Sequence, residues 1–186
     1  MLSLTAPLQD AGGLRAGDQV ELSGVLYTAR DAAHQRFNQL IKAGEPLPFP
    51  LEGAVIYYVG PCPAKPGEPI GSAGPTTSCR MDGLTIPLLE RGLKGTIGKG
   101  GRSPEVVEAL KKYKAVYFAA VGGAAALIAQ RIKKVEVLAY PDLGPEAVHR
   151  LTVERFPAIV AIDSAGNSIY EQGVAKYRHP SLKEAN

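Results

Sequence analysis

Only two cysteines, Cys62 and Cys79, occur among 186 residues. A structural zinc site or an iron–sulfur cluster needs three or four Cys or His ligands. The three histidines, His34, His149 and His179, stand far from both cysteines in sequence. The chain is therefore expected to hold no metal site of its own, and two free thiols are what a reducing compartment favours. Long apolar runs are also missing. The longest, Val116 to Ala129, contains Gly122-Gly123 and falls short of the roughly 20 residues that cross a bilayer. The opening stretch, MLSLTAPLQDAGG, has no basic segment and no long apolar one. No secretory signal is read there, and the chain is expected in the cytoplasm without a membrane partner. Charge of one sign is scarce too. The net charge is +3 and the basic residues are scattered, which gives no footing for nucleic acid but suits a mildly positive pocket for a small anion. Gly and Pro, by contrast, are abundant at 21 and 15. Without a G-X-Y period they indicate long, shaped loops rather than collagen.

A chain of this length suits one domain, read as residues 1–175 with a polar tail at 176–186. Residues 1–16 read as an arm. Asp18 to Tyr27 alternates like a strand, with a bulge or turn at Gly24. Thr28 and Asp31 resemble a capping box for a helix whose apolar face is Ala33, Phe37, Leu40 and Ile41 and whose stop is Gly44. VIYYV, Val55 to Val59, reads as a buried strand. From Gly60 to Asp82 comes a tract of 23 residues with five prolines and four glycines, and a loop of that length in a compact domain is usually functional. Leu84 to Arg91 reads as helix and Lys94 to Ile97 as strand. Ser103 caps a helix with Pro104 in its first position. Ala115 to Ala120 reads as strand, Ala124 to Arg131 as helix, and Lys134 to Tyr140 as strand. Pro145 to Leu151 reads as a short helix. Phe156 to Asp163 reads as a strand turning through Ser164–Asn167 into a further strand, Ser168 to Tyr170. The mixture predicts an α/β fold with a central sheet flanked by helices.

Four stretches carry candidate chemistry. GPTTSCRMD, Gly74 to Asp82, puts three hydroxyls, Thr76, Thr77 and Ser78, just before Arg80. Hydroxyls donate and accept, and the guanidinium fork matches a carboxylate, so the stretch reads as an anion receptor. The plain alternative is a polar turn in which Arg80 pairs with Asp82. In GKGG, Gly98, Gly100 and Gly101 let backbone N–H groups approach an anion ahead of a helix N-terminus, and Lys99 adds a point charge. It is not a Walker A loop, because the glycine spacing fails and Gly100 stands where Ser or Thr is needed. A surface turn is the alternative. TARDAAH, Thr28 to His34, places Arg30 against the preference of a helix start for anions. That fits a residue held for a ligand, or a merely solvated arginine, and His34 fits packing as well as acid–base work. VGGAAALIA lacks the dinucleotide spacing and reads as close helix packing.

Taken in order, LSGVLYTARDAAH, IYYVGPCPAKPGEPIGSAGPTTSCRMD, IGKGGRSPEV, YFAAVGGAAAL and DLGPEA…FPAIVAIDSAGNSIY resemble the beta subunit of class I fumarate hydratases and L-tartrate dehydratases, from about Leu14 to Tyr170. The resemblance implies a swivelling β/β/α domain that closes over an alpha subunit. It implies a 4Fe-4S cluster carried by that alpha subunit and reversible hydration of fumarate to L-malate, with tartrate dehydration as the alternative. It implies assembly as a heterotetramer or as a homodimer through the beta domain. By the same resemblance Thr76, Arg80 and Lys99 are the catalytic candidates, with Thr76 matching the proton-accepting hydroxyl. Arg30, Thr77, Ser78, Gly98 and Gly100 are then the substrate-binding candidates. A reading from another class also stands: a non-catalytic anion-binding or scaffold protein that keeps the fold.

Overall fold

The computed structural model describes residues 1–121 and 123–178. Gly122 and residues 179–186 lie outside them; of the expected tail, Lys176 and Tyr177 end the last helix. Strands β1 (Leu2–Ala6) and β2 (Gln19–Thr28) lead into helix α1 (Asp31–Ala43), β3 (Val55–Tyr57), a 3-10 turn (Ser78–Met81), α2 (Asp82–Leu89), β4 (Gly95–Gly98), α3 (Pro104–Tyr113) and β5 (Val116–Ala119). Helix α4 (Ala125–Ala129), β6 (Ile132–Ala139), a second 3-10 turn (Pro141–Glu146), β7 (Val148–Ile162) and α5 (Ile169–Tyr177) complete the order.

Three β–α–β steps set out β2, β3, β4 and β5 side by side, all parallel. β7 runs antiparallel to β5 at one end of this array and to β2 at the other, so the pairings close a five-stranded, barrel-like ring. β1 extends the sheet from β2, and β6 extends it from β7. The side chains follow the two-residue period of a strand. Val55, Tyr57 and Val59 join Val116, Phe118, Leu26 and Val160 in the core inside the ring. Ile56, Tyr58 and Tyr117 point the other way, to Ala33 and Phe37 of α1, Leu88 and Leu89 of α2, and Val106 and Leu110 of α3. Both faces of β3 and β4 are buried, as parallel strands covered by helices must be.

Several expectations are corrected. The N-terminal arm is strand β1, paired in parallel with β2. The room for it is made at Gly24, where φ is 106° and a side chain would lie 2.2 Å from the Ala6 carbonyl oxygen. Thr28 does not cap α1. It ends β2, and its buried hydroxyl bonds the Ala147 carbonyl at 3.1 Å and the backbone N–H of His149 at 2.9 Å. The capping position belongs to Arg30, with no side-chain cap. Pro145 to Leu151 is not an α-helix: Pro145 and Glu146 end the second 3-10 turn, and pairing with both β2 and β6 draws Val148 onward into β7. Ser168 makes a single bridge to Ile162 and the chain then turns helical, because Asp163 ties up the turn with four hydrogen bonds from Ala165 and Asn167. The Ser103 cap stands as expected, its hydroxyl accepting from Val106 N at 3.4 Å.

Candidate active site

Where parallel strands alternate with helices, in open sheets and closed barrels alike, loops at the carboxyl ends of the strands make the binding site. The candidate residues sit there. Arg30 follows β2, Thr76 to Arg80 follow the excursion from β3, and Lys99 follows β4.

Arg30 is locked by its backbone and extended by its side chain. Its carbonyl accepts from the His34 N–H at 2.9 Å and lies 2.9 Å from His34 Nδ1. Its guanidinium reaches Glu146 at 3.3 Å and packs against Gly60, where a Cβ would come within 2.7 Å of it. The Nε of Arg30 is buried without a hydrogen-bond partner among the described residues. Asp31, a carboxylate in the first turn of α1 where the helix dipole favours it, accepts from Arg80 Nε at 3.0 Å and Nη2 at 2.6 Å. It also lies 3.9 Å from Arg30 Nε. Glu146, Arg30, Asp31 and Arg80 thus form a continuous row of alternating charges drawn from three segments of the chain, Arg30 and Asp31 being neighbours in sequence. Arg80 does not pair with Asp82.

The hydroxyl stretch returns from its long excursion as a short extra strand. Thr76 N–H donates to the Tyr58 carbonyl at 2.7 Å, Lys99 N–H to the Thr76 carbonyl at 3.2 Å, and Ser78 N–H to the Lys99 carbonyl at 2.9 Å. Thr77 and Lys99 form a parallel bridge. The stretch is therefore wedged between the ends of β3 and β4, and Thr76 and Lys99 are neighbours. Alternation then separates the hydroxyls: Thr77 is exposed, Thr76 partly so, and Ser78 fully buried. Ser78 Oγ is 2.9 Å from the Tyr117 hydroxyl, which donates to the Gly100 carbonyl at 2.7 Å. Burial pushes the Tyr117 phenol well above its ordinary range, so it stays a neutral donor. Gly98 is required beneath this contact, since a Cβ there would lie 1.9 Å from Ser78 Oγ. Lys99 is exposed, has no carboxylate within 4.0 Å among the described residues, and precedes Gly100 at φ 79°.

The sequence of residues 4–173 matches the family described as "Fumarase C-terminus". The chain belongs to the fumarase C-terminal family. Three relatives give the scale of the likeness. "Fumarate hydratase 1, mitochondrial" of Leishmania major is 41% identical over 92% of this chain and 32% of its own length. "Fumarate hydratase class I, anaerobic" of Escherichia coli K12 is 41% identical over 85% of this chain and 29% of its own length. "L(+)-tartrate dehydratase subunit beta" of Escherichia coli K12 is 36% identical over 97% and 94%. The chain spans about a third of the length of the fumarate hydratases it matches.

Apart from this half-buried row, this fumarase-family chain buries a second set of polar groups that its motifs do not reveal. Arg102 has no exposed side-chain surface. Its Nε donates to Asp82 at 2.5 Å, and its terminal nitrogens reach the hydroxyls of Thr96 and Thr85 at 3.2 Å and of Tyr58 at 3.4 Å. It also lies over the rings of Tyr58 and Tyr117. Asp82 in turn accepts from Ser103 N–H at 2.7 Å. This cluster fixes the loop from Lys99 to Ser103 onto α2. Asp31 and Glu146 were missed as well, because acids distant in sequence give no sign of the arginines they meet. His34 is buried, edge-on to Tyr58, with burial lowering its pKa to about 4. It is a neutral packing group. Cys62 and Cys79 are free and exposed. Among the described residues no three His, Cys, Asp or Glu side chains are grouped to hold a metal, so the donor set here does not fit an iron–sulfur cluster. Among them, too, no helix is long and apolar enough to cross a membrane.

Proposed function

We propose that this chain is the beta subunit of an iron–sulfur hydro-lyase that interconverts fumarate and L-malate, active only with a cluster-bearing alpha partner. The observation that carries the reading is convergence. Arg30, Arg80 and Lys99, with the hydroxyls of Thr76 and Thr77, come from the ends of three different strands to one edge of the ring. A dicarboxylate brings two negative charges, and removal of a C3 proton from malate adds a third. Fixed cations favour that intermediate over the ground state. Arg30 and Arg80 offer planar forks for carboxylates, and Lys99 offers a point charge. Thr76 stands beside Lys99 and is our candidate for taking the proton. A threonine hydroxyl is a poor base, so it needs the cations beside it to stabilise the oxygen's negative charge. Ser78 is spent on Tyr117 and acts by holding the stretch in place. The backbone N–H of exposed Gly100 completes the wall, while Gly98, buried in β4, serves it by leaving room for Ser78.

On this reading the domain swivels over its partner, and the cluster belongs to that partner, since the donor set here does not fit one. A cytoplasmic setting and either a heterotetramer or a beta-domain homodimer go with it. The likeness along almost the whole E. coli beta subunit favours a second reading, dehydration of L-tartrate. The test is anaerobic co-purification with a cluster-bearing alpha subunit, followed by assays with fumarate, L-malate and L-tartrate. Activity with the pair and none with the chain alone supports the proposal, and the preferred substrate selects between its two forms. If no such partner associates and no mixture hydrates a dicarboxylate, the chain is a binding or scaffold protein instead.

A further inference from the structure

We infer that Asp31 is a positioning residue that aims Arg80 at the substrate carboxylate, an inference that rests on the reading of Arg80 as a carboxylate receptor. A guanidinium has two edges that can each grip a carboxylate. Asp31 takes the edge formed by Nε and Nη2, at 3.0 and 2.6 Å. Among the described residues nothing accepts from Arg80 Nη1, so the other edge is open. Of the two partners, Asp31 is the anchored one. It lies in the first turn of α1, its side chain 26% exposed against 48% for Arg80. Arg80 sits on a short 3-10 turn at the end of a long loop and has few other restraints. The same carboxylate stands 3.9 Å from Arg30 Nε, between two guanidinium groups that would otherwise repel each other.

Asp31 also cancels charge. Arg30, Arg80 and Lys99 against Asp31 and Glu146 leave one net positive charge in the row. Removing the Asp31 charge draws an anion in more strongly while freeing Arg80 to wander. The two effects act on different kinetic constants: the first lowers KM, and the second lowers kcat because the fork no longer meets the transition state in one fixed pose. General damage to the fold would not split them in this way.

The test measures kcat and KM for L-malate in the assembled enzyme. Asp31→Asn is expected to lower kcat about tenfold, a loss that mispositioning of this kind reaches readily, while KM stays level or falls up to about threefold. Asp31→Glu, which restores charge on a longer arm, should return KM to the wild-type value and leave kcat low. In an Arg80→Ala background, Asp31→Asn should change kcat by less than about twofold, since its effect runs through Arg80. An Asp31→Asn enzyme with wild-type kcat, or an equal loss with and without Arg80, overturns the inference. The Arg80 Nε–H signal, followed by NMR in the full chain alone, gives an answer that needs no activity. It should exchange slowly in the wild type and rapidly in Asp31→Asn, and equal exchange in both overturns the inference. If the assembled wild type hydrates nothing, the functional proposal fails, while this signal still decides whether Asp31 holds Arg80.

Discussion

Gly98→Ala is a small change with a calculable consequence. The new methyl would be built 1.9 Å from Ser78 Oγ, 3.0 Å from Tyr58 Cδ2 and 3.2 Å from the Thr76 carbonyl oxygen. None of these neighbours can move freely. Ser78 is buried and bonded to Tyr117, Tyr58 is buried and tied to Thr85, and Thr76 is tied to Lys99. Forcing a methyl into so tight a place costs about 1–3 kcal/mol. In a domain of this size each kcal/mol lowers Tm by roughly 2–4 °C, so a drop of about 2–12 °C is expected by thermal unfolding. The cause can be isolated. Ser78→Ala removes the clashing oxygen at a cost of about 1 kcal/mol for the lost hydrogen bond, while Tyr117 keeps its bond to Gly100. Combined, Gly98→Ala and Ser78→Ala should therefore cost less than the sum of the two. A Gly98→Ala chain as stable as the wild type, or costs that simply add, would refute the claim that this glycine exists to admit the Ser78 hydroxyl.

Arg102→Met strands the largely buried Asp82 carboxylate and should cost about 3–5 kcal/mol in urea unfolding; a loss below about 1 kcal/mol would mean that the cluster is not a structural unit. His34 is held neutral by burial, with its pKa lowered from 6.5 to about 4. A base depressed in the folded state contributes stability that is complete above pH 6.5 and is lost as pH falls towards about 4, by about 3 kcal/mol in all. Urea midpoints at pH 7 and pH 4.5 should therefore differ less in His34→Gln than in the wild type. Arg80→Lys, which keeps the charge but not the fork, should lower kcat/KM of the assembled enzyme about tenfold or more, and near-normal values would remove Arg80 from the site. Thr76→Val should abolish solvent exchange of the C3 proton of malate while leaving subunit association intact, and undiminished exchange would reject Thr76 as the base.

What the sequence made legible was local. The apolar run VIYYV, the glycine stop after α1 and the Ser103-Pro104 helix start are each written in a few adjacent residues; the last two are found where they were read, and the run holds strand β3 over Val55–Tyr57. The hydroxyl stretch and Lys99 were recognisable as candidates for the same reason. What stayed hidden was long-range. Strand β1 depends on a glycine 18 residues beyond Ala6, and the first turns of β7 depend on strands on both sides. The pairing of Arg80 with Asp31 rather than Asp82 depends on a 3-10 turn meeting the start of a helix 49 positions away. The depth of Arg102 is invisible in GKGGRS, since burial of a guanidinium is decided by Asp82, Thr85, Thr96 and two tyrosines from elsewhere.

Closure of the ring by β7 has a consequence for biosynthesis. Its partner β2 leaves the ribosome more than a hundred residues earlier, as the pairing of Val20 with Ala158 requires, and contacts that distant form slowly. Glu146 arrives only with the segment leading into β7, so during translation Arg30 must wait without its acidic companion. The rim that carries Arg30 is thus among the last parts of the nascent protein to mature.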